Sequence, residues 1–205
     1  MIKLLGKVPK NITVALSGGP DSMAALTFLK NSKRNVSAIY FNHGTTHADE
    51  AEDFVKNFCS IHKVPLTLGK IQSPRSSRES LEEYWRNQRY NFFNTYSSGR
   101  YETIIMGHHL NDAVEWWVFS SIHGEGKLIP YENTANNIIR PFLLTKKEDL
   151  LKWLSKNDVP YLIDPSNKSN VHMRNYIRNN IIPHIAHINP GLTKVIYKKY
   201  INLYG

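Results

Sequence analysis

The feature that most constrains the fold is a buried apolar strand that runs directly into a glycine-containing loop. Residues Asn11 to Leu16 (NITVAL) are predicted to form the strand, Ser17 to Ser22 (SGGPDS) the loop, and about Asp21 to Lys30 a helix. Glycines allow positive φ and the close approach of a phosphate, and successive amide N–H groups form an anion nest. The helix N-terminus adds positive partial charge. The sequence therefore predicts a phosphate-binding loop near its start.

The polar side chains of this loop suit a nucleotide. Ser17 and Ser22 can donate hydroxyl groups to phosphate oxygens, whereas Asp21 would repel phosphate unless it acts through Mg²⁺, which prefers oxygen ligands. The loop is neither a Walker motif, since no Gly-Lys-Ser/Thr follows, nor the GxGxxG dinucleotide motif. The structural alternative is an ordinary strand-to-helix turn in which Asp21 caps the helix. The complete six-residue loop after a first buried strand favours nucleotide binding.

Strands alternate with helices along the next part of the chain. Further strands are predicted at Val36 to Phe41, Val64 to Leu68, Thr103 to Met106 and Asn137 to Arg140, and helices at about His47 to His62, Glu79 to Tyr96, Leu110 to Ser121, Lys146 to Lys156, Asn175 to Ile188 and Leu192 to Leu203. This order predicts an α/β fold: a Rossmann-like parallel sheet of about five strands flanked by helices. We expect a catalytic domain over residues 1–142 and a basic helical extension over residues 143–205.

The charge distribution indicates a polyanionic partner. Lys and Arg total 26 against 17 Asp and Glu, for a net charge of +9, and residues 165–205 carry six Lys or Arg and no acidic residue. The alternative is a solvated basic surface. Apolar runs reach about four residues where a membrane span needs roughly twenty, so an integral membrane protein is not expected. Cys59 is the only cysteine, which excludes an intrachain disulfide and a cysteine-rich zinc site. The lack of disulfides and the absence of a secretory signal favour a cytoplasmic location for the protein.

Seven segments in order resemble one family. SGGPDS resembles the PP-loop of the ATP pyrophosphatases, and the later segments narrow the resemblance to tRNA(Ile)-lysidine synthases. These segments are Asn42-His43-Gly44, Arg86 to Tyr90 (RNQRY), Gly107 to Glu115 (GHHLNDAVE), Ile139 to Leu143 (IRPFL), Asp164 to Asn167 (DPSN), and Arg174 to Arg178 (RNYIR) continuing into Ile181-Ile182-Pro183.

The resemblance implies a two-step reaction on RNA. Enzymes of this family use ATP to adenylate O2 of cytidine 34 in the tRNA that reads AUA. The amino group of free lysine then attacks C2, and AMP leaves. The implied substrates are ATP, lysine and tRNA(Ile) with C34, and the implied metal is Mg²⁺.

The resemblance also assigns roles to individual residues. The implied ATP-binding residues are Ser17, Gly18, Gly19, Pro20, Asp21, Ser22, His43, Gly107 and His108. The implied catalytic residues are Asp21, Asp112, Glu115 and Arg174, with Asp21 and Asp112 on Mg²⁺. The implied tRNA-binding residues are Arg86, Arg89, Arg174, Arg178, Lys194 and Lys198.

Two assignments stay open at this point. Asp112 and Glu115 are three residues apart on a predicted helix and face the same way, and they can bind Mg²⁺, hold the lysine ammonium or take its proton. His43, His108 and His109 can be metal ligands, but polar contacts to nucleotide or tRNA are favoured. All lie at carboxyl ends of predicted strands, where ligands bind in open α/β sheets.

The sequence departs from the family pattern at several substrate-side positions. Asn111 replaces an Asp, Trp116 a Thr and His123 an Arg, and Thr45 stands near the expected place of another Arg. The expected short form has only a catalytic domain and its extension, so the basic tail alone, a homodimer or another partner would grip tRNA. The alternatives are another PP-loop tRNA-modifying ligase with a different nucleophile, and a catalytically inactive tRNA-binding module.

Overall fold

The sheet has six strands, and the glycine-containing loop follows one of its two central strands. The computed structural model describes residues 1–100, 102–164 and 173–205. The strands are β1 (Asn11–Leu16), β2 (Asn35–Asn42), β3 (Leu66–Lys70), β4 (Thr103–Ile105), β5 (Glu132–Asn133) and β6 (Ile138–Ile139). Their order across the sheet is β3-β2-β1-β4-β6-β5, and all neighbours are parallel except β5 and β6.

The expected α/β fold with a Rossmann-like parallel sheet is confirmed, with one correction to the strand count. Residues 124–137 are predicted to be irregular, but Glu132 pairs with Ile139 and Asn133 with Ile138 to form the antiparallel edge strand β5. Two residues are too few for an alternating pattern to be visible in the sequence. The edge strand closes the side of the sheet beyond β6.

The helices follow the predicted order, again with one difference. They are α1 (Pro20–Asn31), α2 (Thr46–Ile61), α3 (Leu81–Arg100), α4 (Leu110–Ile122), α5 (Lys147–Lys156), α6 (Met173–Tyr176), α7 (Ile182–Ile188) and α8 (Leu192–Tyr204). A π-helical turn, Ile177–Ile181, separates α6 from α7, where one continuous helix is predicted. Pro183 explains the interruption, because proline has no N–H to donate to the preceding turn. No helix within the described ranges combines the length and apolarity needed to cross a membrane.

The sheet separates two apolar cores. Ala38 and Tyr40 of β2 belong to the larger core with α1, α2, α4 and α5, whereas Ile39 belongs to a smaller core with α3. The larger core also includes Leu192, Ile196 and Tyr200 of α8. The C-terminal helix therefore packs against the same core as the phosphate-loop helix. The division at residue 142 stays a prediction.

The topology creates a crevice at the ends of β1 and β4. β1 lies between β2 and β4 in the sheet. The connection that leaves β1 therefore runs to one side of it, and the connection that leads into β4 returns to its other side. Ligands of open α/β sheets bind outside the carboxyl ends of the strands at this switch point. Residues 17–19 follow β1 and residues 106–109 follow β4, which brings the two predicted site segments together.

Candidate active site

Hydrogen bonds of two serines fix the conformation of the loop after β1. Ser17 N–H donates to Ser22 Oγ (3.1 Å), Ser22 Oγ donates to the carbonyl oxygen of Gly19 (3.0 Å), and Gly19 N–H donates to Ser17 Oγ (3.3 Å). Gly18 has φ +76°, which a side chain would strain. Gly19 is the N-cap of α1 and supplies no capping side chain, and Pro20 follows it. The helix N-terminus is therefore open to an anion.

The side chain of Asp21 does not cap α1. Its carboxylate instead lies between two cationic or donor groups that come from distant segments of the chain. Oδ1 lies 3.4 Å from Nε2 of buried His109, and Oδ2 lies 3.7 Å from Nζ of Lys147. Burial by itself raises the pKa of the Asp21 carboxyl, but His109, Lys147 and Arg178 outweigh it and hold the pKa below its ordinary value. Asp21 is therefore a carboxylate facing the crevice.

His109 connects the phosphate loop to α4. Its Nδ1 accepts from the backbone N–H of Asp112 (3.2 Å), and Asp112 Oδ2 accepts from the backbone N–H of His109 (2.9 Å), which completes a capping box. The opposite nitrogen, Nε2, faces Asp21. One imidazole thus fixes the two carboxylates predicted to bind metal. Burial lowers the pKa of His109, but Asp112 and Asp21 outweigh it and raise the pKa above its ordinary value.

Gly107 is required by close packing. A Cβ at Gly107 would lie 3.0 Å from the carbonyl oxygen of Asp21 and 3.3 Å from the backbone nitrogen of Ser22. Gly107 belongs to the GHHLNDAVE segment, and the structure gives the physical reason for it, which is the approach of the chain after β4 to the start of α1. A larger residue would push the two halves of the crevice apart.

Glu115 is buried and paired with an arginine from the C-terminal helices. Arg178 Nε and Nη2 lie 2.8 Å and 2.7 Å from Glu115 Oε2, and Nη2 lies 4.0 Å from Asp112 Oδ1. Glu115 is 5% exposed. Burial raises the pKa of the Glu115 carboxyl above its ordinary value, although Arg178 opposes this shift. The π-helical turn therefore carries Arg178 onto the acidic pair of α4.

A single cavity of about 800 Å³ joins most of the predicted site residues. Those that line it are Ser17, Gly19, Pro20, Asp21, Ser22, His43, Arg89, Gly107, His108, Asp112 and Arg178. Its volume is typical of a site for a nucleotide-sized ligand. Leu162, whose N–H donates to the carbonyl oxygen of Gly18 (2.9 Å), and Asp164 cover the loop from outside. The rest of the DPSN segment, residues 165–167, lies outside the described residues.

The wall of the cavity beside α3 is basic and aromatic. Arg89 and Trp85 line it with His43 and His108. Arg89 Nε and the Nδ1 atoms of both histidines are buried without a hydrogen-bond partner in the described structure. Burial and then Arg89 lower the pKa of His43 to about 4, and burial lowers the pKa of His108 to about 4 despite the opposing effect of Asp112. Both rings are therefore neutral at physiological pH and have nitrogens available to a bound ligand.

The two neutral histidines predict a pH-dependent stability. Lowering the pH from about 7 to about 5.5 is expected to reduce the free energy of unfolding by about 1 kcal/mol for each of His43 and His108. The unfolded histidine takes up a proton near pH 6.5, whereas the folded one resists it until about pH 4, so this stability is complete above pH 6.5 and is lost towards pH 4. Urea unfolding of the wild type and His108→Gln at both pH values measures the difference. Equal losses in the two proteins would contradict the assignment, and exposed His187→Gln is the control.

The acidic residues fit a magnesium ion that is completed by its substrate. Mg²⁺ usually takes one or two carboxylates together with phosphate oxygens and waters. Asp21 Oδ1 is buried without a hydrogen bond of good geometry, and Asp21 and Asp112 flank the same imidazole. No group of three or more His, Cys, Asp or Glu within the described ranges suits an all-protein metal site. The donor set therefore fits Mg²⁺ held partly by phosphate.

The remaining predicted RNA contacts lie outside the cavity. Arg174 lies over the Trp116 ring (5.1 Å to the centroid), and Arg86 lies over Tyr90 (4.9 Å). Lys194 and Lys198 are exposed on α8. The roles assigned to these residues stay predictions.

Sequence reasoning missed two residues that hold the centre of the site. Lys147 faces Asp21, and its backbone N–H donates to Asn111 Oδ1 (3.0 Å), so the departure at Asn111 supports the start of α5. For His109 the sequence predicts a metal or polar contact, whereas in the structure it is the N-cap of α4. A polar residue three positions before Asp112 is a capping signal that the sequence does contain. Nothing local signals Lys147, because its partner lies 126 residues earlier in the chain.

The chain is similar to known proteins over most of its length. The family model described as the PP-loop domain matches residues 2–185. The chain is 30% identical over 200 residues to the tRNA(Ile)-lysidine synthase of Thermotoga maritima, covering 92% of this chain and 48% of that protein. It is 34% identical over 193 residues to that of Persephonella marina, covering 88% and 42%. The chain therefore spans about half the length of the curated relatives it matches.

A solved structure supports the fold independently. The U34-tRNA thiolase NcsA from Methanococcus maripaludis superposes with a TM-score of 0.76 at 20% identity, over 97% of this chain and 74% of that one. At this identity the likeness concerns the fold. The described residues include one cysteine, Cys59, which is buried.

Proposed function

Since the chain belongs to the PP-loop domain family, we propose that it joins lysine to C2 of cytidine 34 in the tRNA(Ile) that reads AUA. The observation that carries this proposal is the cavity in which the Ser17–Ser22 loop and the carboxylates of Asp21 and Asp112 face each other. The relatives named tRNA(Ile)-lysidine synthase support the choice of substrates.

The phosphate loop and its helix bind and orient ATP. The open N-terminus of α1 receives the phosphates, and Lys147 adds positive charge beside Asp21. Asp21 and Asp112 would hold Mg²⁺, which when bound neutralises charge that develops on the phosphates. Cytidine O2 attacks the α-phosphorus, pyrophosphate leaves, and C2 becomes open to attack.

The acidic residues of α4 suit the second step. Asp112 lines the cavity, so a lysine amino group that enters beside it meets negative charge, whereas Glu115, one helical turn further on, is paired with Arg178. A carboxylate at this point can take the proton that the attacking amine must lose. The amine forms the new C2–N bond, and AMP departs with the former O2.

A lysine-incorporation assay tests the proposal. Purified protein, Mg-ATP and labelled lysine are incubated with a tRNA(Ile) transcript carrying C34 and with the matched transcript carrying U34. We expect label to enter only the C34 transcript, with AMP and pyrophosphate released in equal amounts. This result would establish both the nucleophile and the target base.

Other outcomes separate the alternative functions. Pyrophosphate release that depends on tRNA without incorporation of lysine would contradict the nucleophile and retain an adenylating tRNA-modifying enzyme. Binding of tRNA with neither product would contradict ligation altogether and favour an inactive binding module. Incorporation into the U34 transcript would contradict the target base.

A further inference from the structure

Three rings and one guanidinium form a row of contacts along α4. The rings of Trp116 and Phe119 stack with centroids 5.5 Å apart at 26°, and Phe119 contacts the His123 ring at 4.4 Å. The guanidinium of Arg174 lies over Trp116 at 5.1 Å from its centroid. We call these four residues the aromatic ladder. Its residues on α4 are spaced by three and four positions and therefore share one helix face.

The ladder is at the surface, beside the acidic residues of the site. Trp116 and Phe119 are partly exposed, and His123 and Arg174 are exposed. Trp116 directly follows Glu115, and Arg174 precedes by one turn the arginine that pairs with Glu115. Asp112 and Arg178, four residues from Trp116 and Arg174 respectively, line the cavity, so this end of the row is the one nearer to it.

The geometry points to a stacking surface for unpaired RNA bases, an inference that rests on the proposed function and extends it to the nucleotides flanking the modified base. Single-stranded nucleic acids bind where bases can stack on aromatic rings or arginine planes within positive surroundings. Arg174 offers its guanidinium for such a contact, because it already lies over the Trp116 ring and its side chain is exposed. A base that continues the row at Arg174 lies at the end of the row that is nearer to the cavity.

The charge of the neighbouring chain is complementary to RNA. Residues 165–205 include six Lys or Arg and no Asp or Glu. Lys194 and Lys198 of α8 are exposed, and α8 packs in the same core as α4. A polyanionic backbone is therefore attracted to this C-terminal part of the chain, which also carries Arg174.

RNA binding by four variants tests the inference without requiring ligation. A labelled anticodon stem-loop of tRNA(Ile) is titrated with wild type, Trp116→Ala, Trp116→Phe and Arg174→Lys, and fluorescence anisotropy is measured at several salt concentrations. Trp116→Ala should weaken binding about 5-fold to 150-fold with an unchanged salt slope, because one stacking contact is lost. Trp116→Phe should keep most of the affinity. Arg174→Lys should weaken binding without changing the slope, since lysine keeps the charge and loses the plane.

Abasic RNA and a matched protein control separate stacking from general damage. One abasic loop position should weaken binding by wild type as much as Trp116→Ala does, and it should cost the variant nothing further. Tyr204→Ala, which removes a partly exposed aromatic residue stacked on Tyr200, should bind RNA like the wild type. Circular dichroism and thermal unfolding show that each variant is folded.

Failure of the ladder and failure of the proposed function give different results. Wild-type affinity in both Trp116→Ala and Arg174→Lys would overturn the ladder, even if lysine is incorporated normally. Binding that depends on Trp116 in a protein that incorporates no lysine would sustain the ladder and reject the ligase.

Discussion

Asp21→Asn is expected to lower tRNA-dependent pyrophosphate release by about 100-fold to 1,000-fold, the range found when one group that stabilises a transition state is removed. Asparagine keeps the size of the side chain and one oxygen but loses the charge that would hold Mg²⁺ against the phosphates. The position is suited to this role, because Asp21 Oδ1 is buried without a well-formed hydrogen bond and its pKa lies below the ordinary value. Release of pyrophosphate under single-turnover conditions measures the effect.

The binding of RNA should survive this substitution, since the proposed RNA contacts lie elsewhere. Asp53→Asn is the matched control, because this aspartate on α2 has a side chain that is 82% exposed. It should release pyrophosphate at the wild-type rate. More than a tenth of wild-type activity in Asp21→Asn would remove Asp21 from the catalytic centre.

Arg178→Met is expected to destabilise the protein by about 2 kcal/mol, because it leaves the buried Glu115 carboxylate without its cation. Loss of one partner of a fully buried pair usually costs more, but the Arg178 side chain is 40% exposed and part of its charge is screened. Methionine preserves much of the apolar stem. Chemical denaturation at neutral pH measures the change in the free energy of unfolding.

The pH dependence and a double substitution identify the cause. The Glu115 pKa is already raised by burial and rises further without Arg178, so the folded variant favours the protonated carboxyl. Its deficit should be complete at neutral pH and shrink as the pH falls through that raised pKa. Glu115→Gln should restore most of the stability of Arg178→Met. Arg174→Met, from the same helical segment, is the control and should cost less than about 1 kcal/mol. A deficit that is independent of pH would contradict the charge argument.

Local patterns explain why the loop and most of the sheet were predictable. The strand Asn11–Leu16 and the loop SGGPDS follow from apolar character, glycine and helix-start signals that act within a few residues. The π-helical turn and β5 were not predictable in this way. Pro183 signals locally that the helix is interrupted but not that the interruption is a π turn, and a two-residue strand depends on its partner.

The aromatic ladder likewise could not be predicted from the types of its residues. Trp116 and His123 stand out in the sequence as departures from a family pattern, without any indication of what they contact. Only the fold brings Arg174 over Trp116 across more than fifty residues of chain. An aromatic residue on a helix can face the core or the surface, and burial in the tertiary structure decides between them.

The sequence by itself determined the strand, the phosphate loop, the α4 acidic pair and the basic tail, because these depend on residue type and short spacing. The tertiary structure decided which groups meet. It joined Asp21 to His109 and Lys147, paired Glu115 with Arg178, and brought the backbone of Asp21 so close to Gly107 that a Cβ there would be crowded. The physical reason is that charge, pKa and steric fit in the site depend on distances between residues far apart in the chain. Those distances are set by the packing of the sheet and its helices.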